Sequence, residues 1–198
     1  MSSAPHVVGT DSPVLLAPGV GVRHCHPGYR PLALANDQLC YVSSGRAAYT
    51  RPGERVEVER GTLAHFKSGW AGWLHVQEPL EMSYMDGPGA APGPTLVLAS
   101  LEPQKDWGPL GTSHTSGTLL SRDPDGQAES GLWVCTPGLW DCHVTRAEYC
   151  HFLSGRCLYT HESGEEIEIE PDTVAFFPQD WRGTCRVEET VTKVYLIR

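Results

Sequence analysis

Two imidazoles stand two positions apart at His24 and His26, on either side of Cys25. In a strand such positions face the same way, so the pair could bind a metal ion with a third ligand from His65 or His75. Surface histidines at a strand edge are the plainer account. A second concentration of reactive side chains holds Cys135, Cys142, Cys150 and Cys157 close to His143 and Glu148. One of these thiols could be a nucleophile or a soft ligand if a neighbouring cation stabilised its thiolate; otherwise free cysteine packs as a small apolar residue. His143 with Glu148 reads either as a ligand or acid–base pair, or as a hydrogen-bonded pair with no chemical task. Trp133 and Trp140 could wall a pocket for an apolar or planar ligand. Arg182 could meet a carboxylate substrate, a solvated loop arginine being the simpler alternative.

The elements that must position these groups are written twice. The stretch from Gly21 to Glu78 recurs between Gly131 and Glu189 at a constant offset that grows by one residue near Ser163, so that Cys25 falls on Cys135, Cys40 on Cys150 and Trp70 on Trp181. Internal repetition of this kind decides the architecture before any local assignment. Shared cysteine and tryptophan positions favour packing roles for those residues. Each copy is made of short runs rich in β-branched and aromatic residues, separated by Gly, Pro, Ser or Asp. Arg55-Val56-Glu57-Val58-Glu59 and Glu166-Ile167-Glu168-Ile169-Glu170 alternate with the period of two of a half-buried strand. The hairpin turns before them are Arg51-Pro52-Gly53-Glu54 and Glu162-Ser163-Gly164-Glu165. Many short antiparallel strands without a long helix predict an all-β fold of two jelly-roll barrels. The Gly/Pro stretch from Asp86 to Pro94 is the natural joint, giving an N-terminal barrel over residues 1–87, a linker over 88–94 and a C-terminal barrel over 95–198. Asp123-Pro124-Asp125-Gly126 marks a turn before the second core.

Bulk properties exclude some classes of function. The 198 residues carry 24 acidic and 15 basic side chains, a formal charge of −9, which repels phosphate backbones and anionic lipid surfaces. No nucleic acid and no membrane partner is expected, and no apolar run approaches the roughly 20 residues of a membrane span. The N-terminal residues lack a basic segment followed by an apolar core, and seven cysteines without a C-x-x-C pair give no disulfide framework or zinc ribbon. A cytoplasmic protein is expected, monomeric or homodimeric.

The second copy contains GLWVCTPG, then Glu148 with Gly155 following, GEEIEIEPD, FFPQDWRGT and VEETVTKVYLI. In these segments the chain resembles the cupin superfamily, specifically the small cupins related to ureidoglycine aminohydrolase and the ethanolamine-utilisation type. The resemblance spans roughly residues 95–198 and, through the repeat, residues 10–85 more faintly. It implies a bicupin, a double jelly-roll barrel whose mouth or interior can carry a metal and a small polar substrate. The cupin metal motif G-x5-H-x-H-x3–4-E-x6-G places Asp141, His143 and Glu148 as ligands here, with Asp141 in the first histidine position. Such a hard-ligand set suits one divalent transition metal, Mn, Fe or Zn. The later motif P-x-G-x2-H starts at Pro178 and puts Asp180 at its glycine and Gly183 at its histidine, leaving Cys150 or Cys185 to complete the set. In the first copy Pro31, Ala33 and Gln38 replace the three ligands, and His24 and His26 lie one strand too early for the motif. Lys193 falls in the family's closing strand and reads as structural. Two functions follow: a metal-dependent enzyme acting on a small polar metabolite in the C-terminal barrel, or a metal-free barrel that binds a small-molecule ligand or supports a partner protein.

Overall fold

The computed structural model describes residues 6–8, 15–17, 19–87, 96–98, 106–122 and 125–198. All regular structure among them is strand, arranged in one nine-stranded and one eight-stranded sheet that follow the two compact units of the chain. No helix among the described residues is long and apolar enough to cross a membrane.

The units do not divide at residues 87 and 95. The first strand, β1 (His6–Val8), belongs to the C-terminal unit, and the N-terminal unit runs on to Leu101 and takes in Ser121–Gly126. Within the N-terminal unit, β2 (Leu15–Ala17), β3 (Val20–Cys25), β4 (Gly28–Ala33), β5 (Gln38–Arg51), β6 (Glu54–Glu59), β7 (Leu63–Phe66) and β8 (Ala71–Asp86) are closed by β9 (Leu96–Leu98), which pairs with β7. The apolar run after the Gly/Pro stretch is therefore a strand of the first unit. The C-terminal unit holds β10 (Gly108–Leu110), β11 (Ser113–Arg122), β12 (Glu129–Cys135), β13 (Gly138–His143), β14 (Glu148–His161), β15 (Glu166–Ile169), β16 (Val174–Phe177) and β17 (Arg182–Ile197), with β1 on the free edge of β16. In each unit a strand distant in sequence satisfies the N–H and C=O groups that the edge strand would otherwise expose. The linker assigned to residues 88–94 lies outside the described residues, as do Asp123 and Pro124 of the expected turn.

Each barrel is built on one long, bulged pair, β5 with β8 and β14 with β17, whose two halves serve different strands. Arg23 faces Met82 and Val42 faces Met82 in the first unit; Trp133 faces Lys193 and Phe152 faces Lys193 in the second. The alternating carboxylates of β6 and β15 point outward as their spacing predicts, and Val58, Ile167 and Ile169 are buried. Inside, Tyr49, Phe66 and Trp70 pack edge to face in one core, and Tyr159, Phe177 and Trp181 occupy the matching places in the other. Each large side chain so buried contributes roughly 1.5–3 kcal/mol of transfer free energy.

One polar network distinguishes the N-terminal unit. The buried Asp37 carboxylate accepts hydrogen bonds from Ser68 N at 2.8 Å and Lys67 Nζ at 3.0 Å, with His65 Nε2 3.7 Å away. Burial first, and then the Lys67 charge, hold the His65 pKa below its ordinary value against the pull of Asp37. The unfolded chain therefore binds a proton near pH ~6.5 that the folded unit resists, so stability is full above that pH and is lost as pH falls toward the folded pKa. Phe176 stands at the equivalent position of the second copy. His65→Phe is accordingly expected to flatten the acid side of a plot of urea midpoint against pH; an unchanged acid slope would place the acid sensitivity elsewhere.

Candidate functional site

Strand alternation on β13 decides which groups can meet. Trp140 and Cys142 turn inward and pack on the core, whereas Leu139, Asp141 and His143 turn outward. Asp141 lies level with Thr184 of β17, which lies level with Thr160 of β14; His143 lies level with Arg182. These side chains line an open groove of about 410 Å³ on the outer face, together with Glu162. His143 Nε2 there stands 3.6 Å from Asp180 Oδ1.

Glu148 takes the opposite direction. Its Oε1 accepts a hydrogen bond from Lys193 Nζ at 2.8 Å, with side-chain exposures of 18% for Glu148 and 7% for Lys193. The ammonium also sits 4.8 Å from the centroid of the Trp133 ring and 5.7 Å from that of Phe152. Burial opposes the Lys193 charge, and the neighbouring Cys150 sulfur and Glu148 carboxylate outweigh it, so the ammonium is held well above the ordinary lysine range. Cys150 itself is pushed well above the usual thiol range by burial, and its sulfur is within hydrogen-bonding reach of both Lys193 and Glu148. Trp140 approaches Trp133 with ring centroids 6.2 Å apart. The interior of this barrel thus carries a charged pair against the Trp133 indole, on which Trp140 packs edge to face.

The expected ligand set is not assembled. Asp141 and His143 are on the solvent side of β13 and Glu148 is engaged by Lys193 within, and among the described residues no three His, Cys, Asp or Glu side chains come together to hold a metal ion. The donors present therefore do not fit the Mn, Fe or Zn that the motif implies. Cys150 does face inward with Glu148, and Cys185 faces inward from β17, but both are packed in the apolar core. In the first copy His24 Nδ1 pairs with Glu81 Oε2 at 3.3 Å, His65 stands beside Asp37, and His75 stacks on Tyr29 at 3.9 Å, so no shared ligand site forms. Of the three residues assigned to substrate, Trp133 and Trp140 share the interior and Arg182 lies outside on the groove.

Lys193, expected to be a structural residue of the closing strand, is instead half of this interior ion pair. A signal for it was present: it alternates with Val191 and Tyr195 on the inward side of β17, where the first copy has Met82, 0% exposed, between Leu80 and Tyr84. The first barrel carries its inward cation on the neighbouring strand instead: Arg23, opposite Met82 and 4.5 Å from the centroid of the Tyr84 ring, stands where the second barrel has Trp133.

Residues 122–195 match the EutQ-like cupin domain family. Among solved structures, a protein of unknown function of the DUF861 family from Pseudomonas syringae pv. tomato superposes with a TM-score of 0.72 at 14% identity, over 91% of this chain and 82% of that one. This chain has the cupin barrel fold. The cupin 2 conserved barrel domain protein from Leptotrichia buccalis, at 9% identity, gives a TM-score of 0.69 over all of this chain (100%) and 90% of that chain. The salicylate 1,2-dioxygenase from Pseudaminobacter salicylatoxidans, at 11% identity, gives 0.62 over 90% of this chain and 70% of the dioxygenase. Likeness at these identities establishes the barrel fold and leaves the chemistry to the residues inside it. No curated protein matches this chain by sequence.

Proposed function

We propose that the C-terminal barrel binds a small polar metabolite in its interior without a metal ion, using Lys193 and Glu148 as the recognition pair and Trp133 and Trp140 as walls. One observation carries this reading: the pair exists in one barrel only. The first barrel places Gln38 and Met82 at the equivalent positions and still buries a complete core. Taking an ammonium and a carboxylate out of water costs several kcal/mol per ion, which their mutual attraction barely offsets, so a buried pair that the fold does not need points to recognition. The pair defines its ligand: an acceptor such as a carboxylate or carbonyl for Lys193, and an O–H or N–H donor for the second Glu148 oxygen. The seven cysteines are all free, which suits the reducing conditions of a cytoplasm.

Glycolate is the smallest probe that combines these features. Thermal unfolding of the wild type is expected to shift upward with glycolate concentration, by up to about 2.7 kcal/mol at one hundred times the dissociation constant. Glu148→Gln/Lys193→Met should show no shift; equal shifts in both proteins would remove the interior pair as the site. The metal-dependent enzyme is the competing reading, since the salicylate relative is named a dioxygenase. Elemental analysis of untagged protein decides it: the outward positions of Asp141 and His143 predict less than one Mn, Fe or Zn per chain, and a stoichiometric metal lost in His143→Ala would revive the motif reading.

A further inference from the structure

The outer face of the same barrel carries a second set of ionic groups, of which the interior pair makes no use. Asp141 and His143 on β13, Arg182 and Thr184 on β17, Thr160 on β14 and Glu162 just past its end line the open groove. Its volume, about 410 Å³, is that of a small-molecule site.

The charges of this groove do not satisfy one another. Arg182 lies level with His143, and Glu162 N donates to the Arg182 carbonyl oxygen at 3.0 Å, so a cation and a carboxylate sit on hydrogen-bonded backbones. Among the described residues the Arg182 guanidinium and the Asp141 and Glu162 carboxylates nonetheless form no ion pair and no side-chain hydrogen bond. Farther along the same face the opposite holds: Arg186 pairs with Glu188 at 3.2 Å and Arg156 with Glu170 at 2.9 Å. Nor does the sheet require these groups. Where Asp141 lies level with Thr184 and His143 with Arg182, the first barrel sets Pro31 against Trp73 and Ala33 against Ala71. Asp180, whose carboxylate stands 3.6 Å from His143 Nε2, keeps a left-handed backbone (φ 65°) where the first barrel has Gly69 (φ 80°). Glycine adopts that conformation freely and aspartate at a cost.

We propose that this groove binds a small zwitterion, an α-amino acid whose amino and carboxylate groups are both free. Arg182 takes the carboxylate with its planar fork of donors, and Asp141 and Glu162 take the ammonium. Thr160 and Thr184, on the row of Asp141, offer hydroxyls to a polar side chain. Asp141 and Arg182 are diagonal neighbours on adjacent strands, about 7–8 Å apart at the backbone, so a ligand whose two charges share one carbon can reach both. A ligand with one charge leaves half of the groove unanswered, and glycolate is therefore no substitute. Contacts this exposed are individually weak, which sets the expected dissociation constant at about 1 mM.

L-Serine is the probe, and the amide spectrum of the isotope-labelled protein is the readout. Saturable shifts are expected at the Gly183 and Thr184 amides, with the Trp133 indole N–H unmoved. N-acetyl-L-serine, which lacks the ammonium, and L-serine methyl ester, which lacks the carboxylate, should each bind about tenfold more weakly. Arg182→Ala, which copies the first barrel, and Asp141→Asn should weaken L-serine by a similar factor and keep the wild-type spectrum elsewhere. Glu148→Gln/Lys193→Met separates this site from the interior one. It should bind L-serine as the wild type does; binding lost there would place the zwitterion at the interior pair and overturn the assignment. Absent shifts, equal binding of the singly charged analogues, or full affinity in Arg182→Ala and Asp141→Asn would overturn it as well.

Discussion

Glu148→Ala is expected to destabilise the C-terminal barrel by about 3–5 kcal/mol, because it leaves the Lys193 ammonium buried without its carboxylate. Lys193→Met should cost less, about 1–3 kcal/mol, since Glu148 is the more exposed partner and can recover part of its hydration. Glu148→Gln/Lys193→Met is expected to be neutral, or more stable than the wild type by about 1–4 kcal/mol, since it removes both buried charges together and uses the residue types that the first barrel buries at these positions. Urea unfolding of the single and double variants gives the coupling directly. The contribution of the charged form also sets its pH dependence. A lysine raised above its unfolded value contributes fully below pH ~10.4 and loses that contribution as pH rises through the folded value. The wild type, but not the double variant, should therefore lose stability on the alkaline side. A double variant as damaged as Glu148→Ala would show that the ion pair is a structural need of this barrel.

Gly155→Ala is expected to prevent the C-terminal barrel from folding. Gly155 has φ +83° at an irregularity where β14 slips in register against β17, between Ser154 and Arg156. A Cβ there would lie 2.2 Å from the Thr190 carbonyl oxygen and 2.7 Å from Val191 Cα. Both contacts are backbone atoms of a strand paired to its neighbours, so they cannot swing aside as a side chain would. The left-handed conformation costs about 1–3 kcal/mol and the overlap about as much again, a sum comparable with the whole stability of a small domain. Gly45 is the equivalent in the first barrel, with φ +84° and a Cβ 2.0 Å from the Pro79 oxygen, and Gly45→Ala should be equally damaging. Gly164, with φ +87° and open space around its Cβ position, provides the control. Gly164→Ala should cost only the conformational strain, about 1–2 kcal/mol. Far-ultraviolet circular dichroism and urea unfolding check all three; a cooperative, wild-type-like transition in Gly155→Ala would mean that the bulge relaxes.

These effects show which parts of the protein could be read before its structure. The strands of β6 and β15, the hairpin turns and the equivalence of Trp70 with Trp181 follow from alternation and from the repeat, because those patterns are local or internal to the sequence. The facing of β13 does not. Leu139, Trp140 and Cys142 are all apolar, so the strand carries no clean alternation, and a slip of one residue exchanges Asp141 and His143 with Trp140 and Cys142 across the sheet. A motif places residues along a strand and leaves their side undetermined. The edges of the two units are set non-locally: which sheet edge accepts a three-residue strand such as β1 or β9 is settled by tertiary pairing. Lys193 was legible only by comparing the copies, as a charge standing where methionine serves.

The central claim is that recognition belongs to the inward pair of Lys193 and Glu148, and not to the outward groups of the motif. Calorimetric titration of glycolate into Lys193→Met and into His143→Ala tests it most directly. Binding abolished in Lys193→Met and unchanged in His143→Ala is the predicted result. Binding that survives Lys193→Met and disappears with His143→Ala would contradict it.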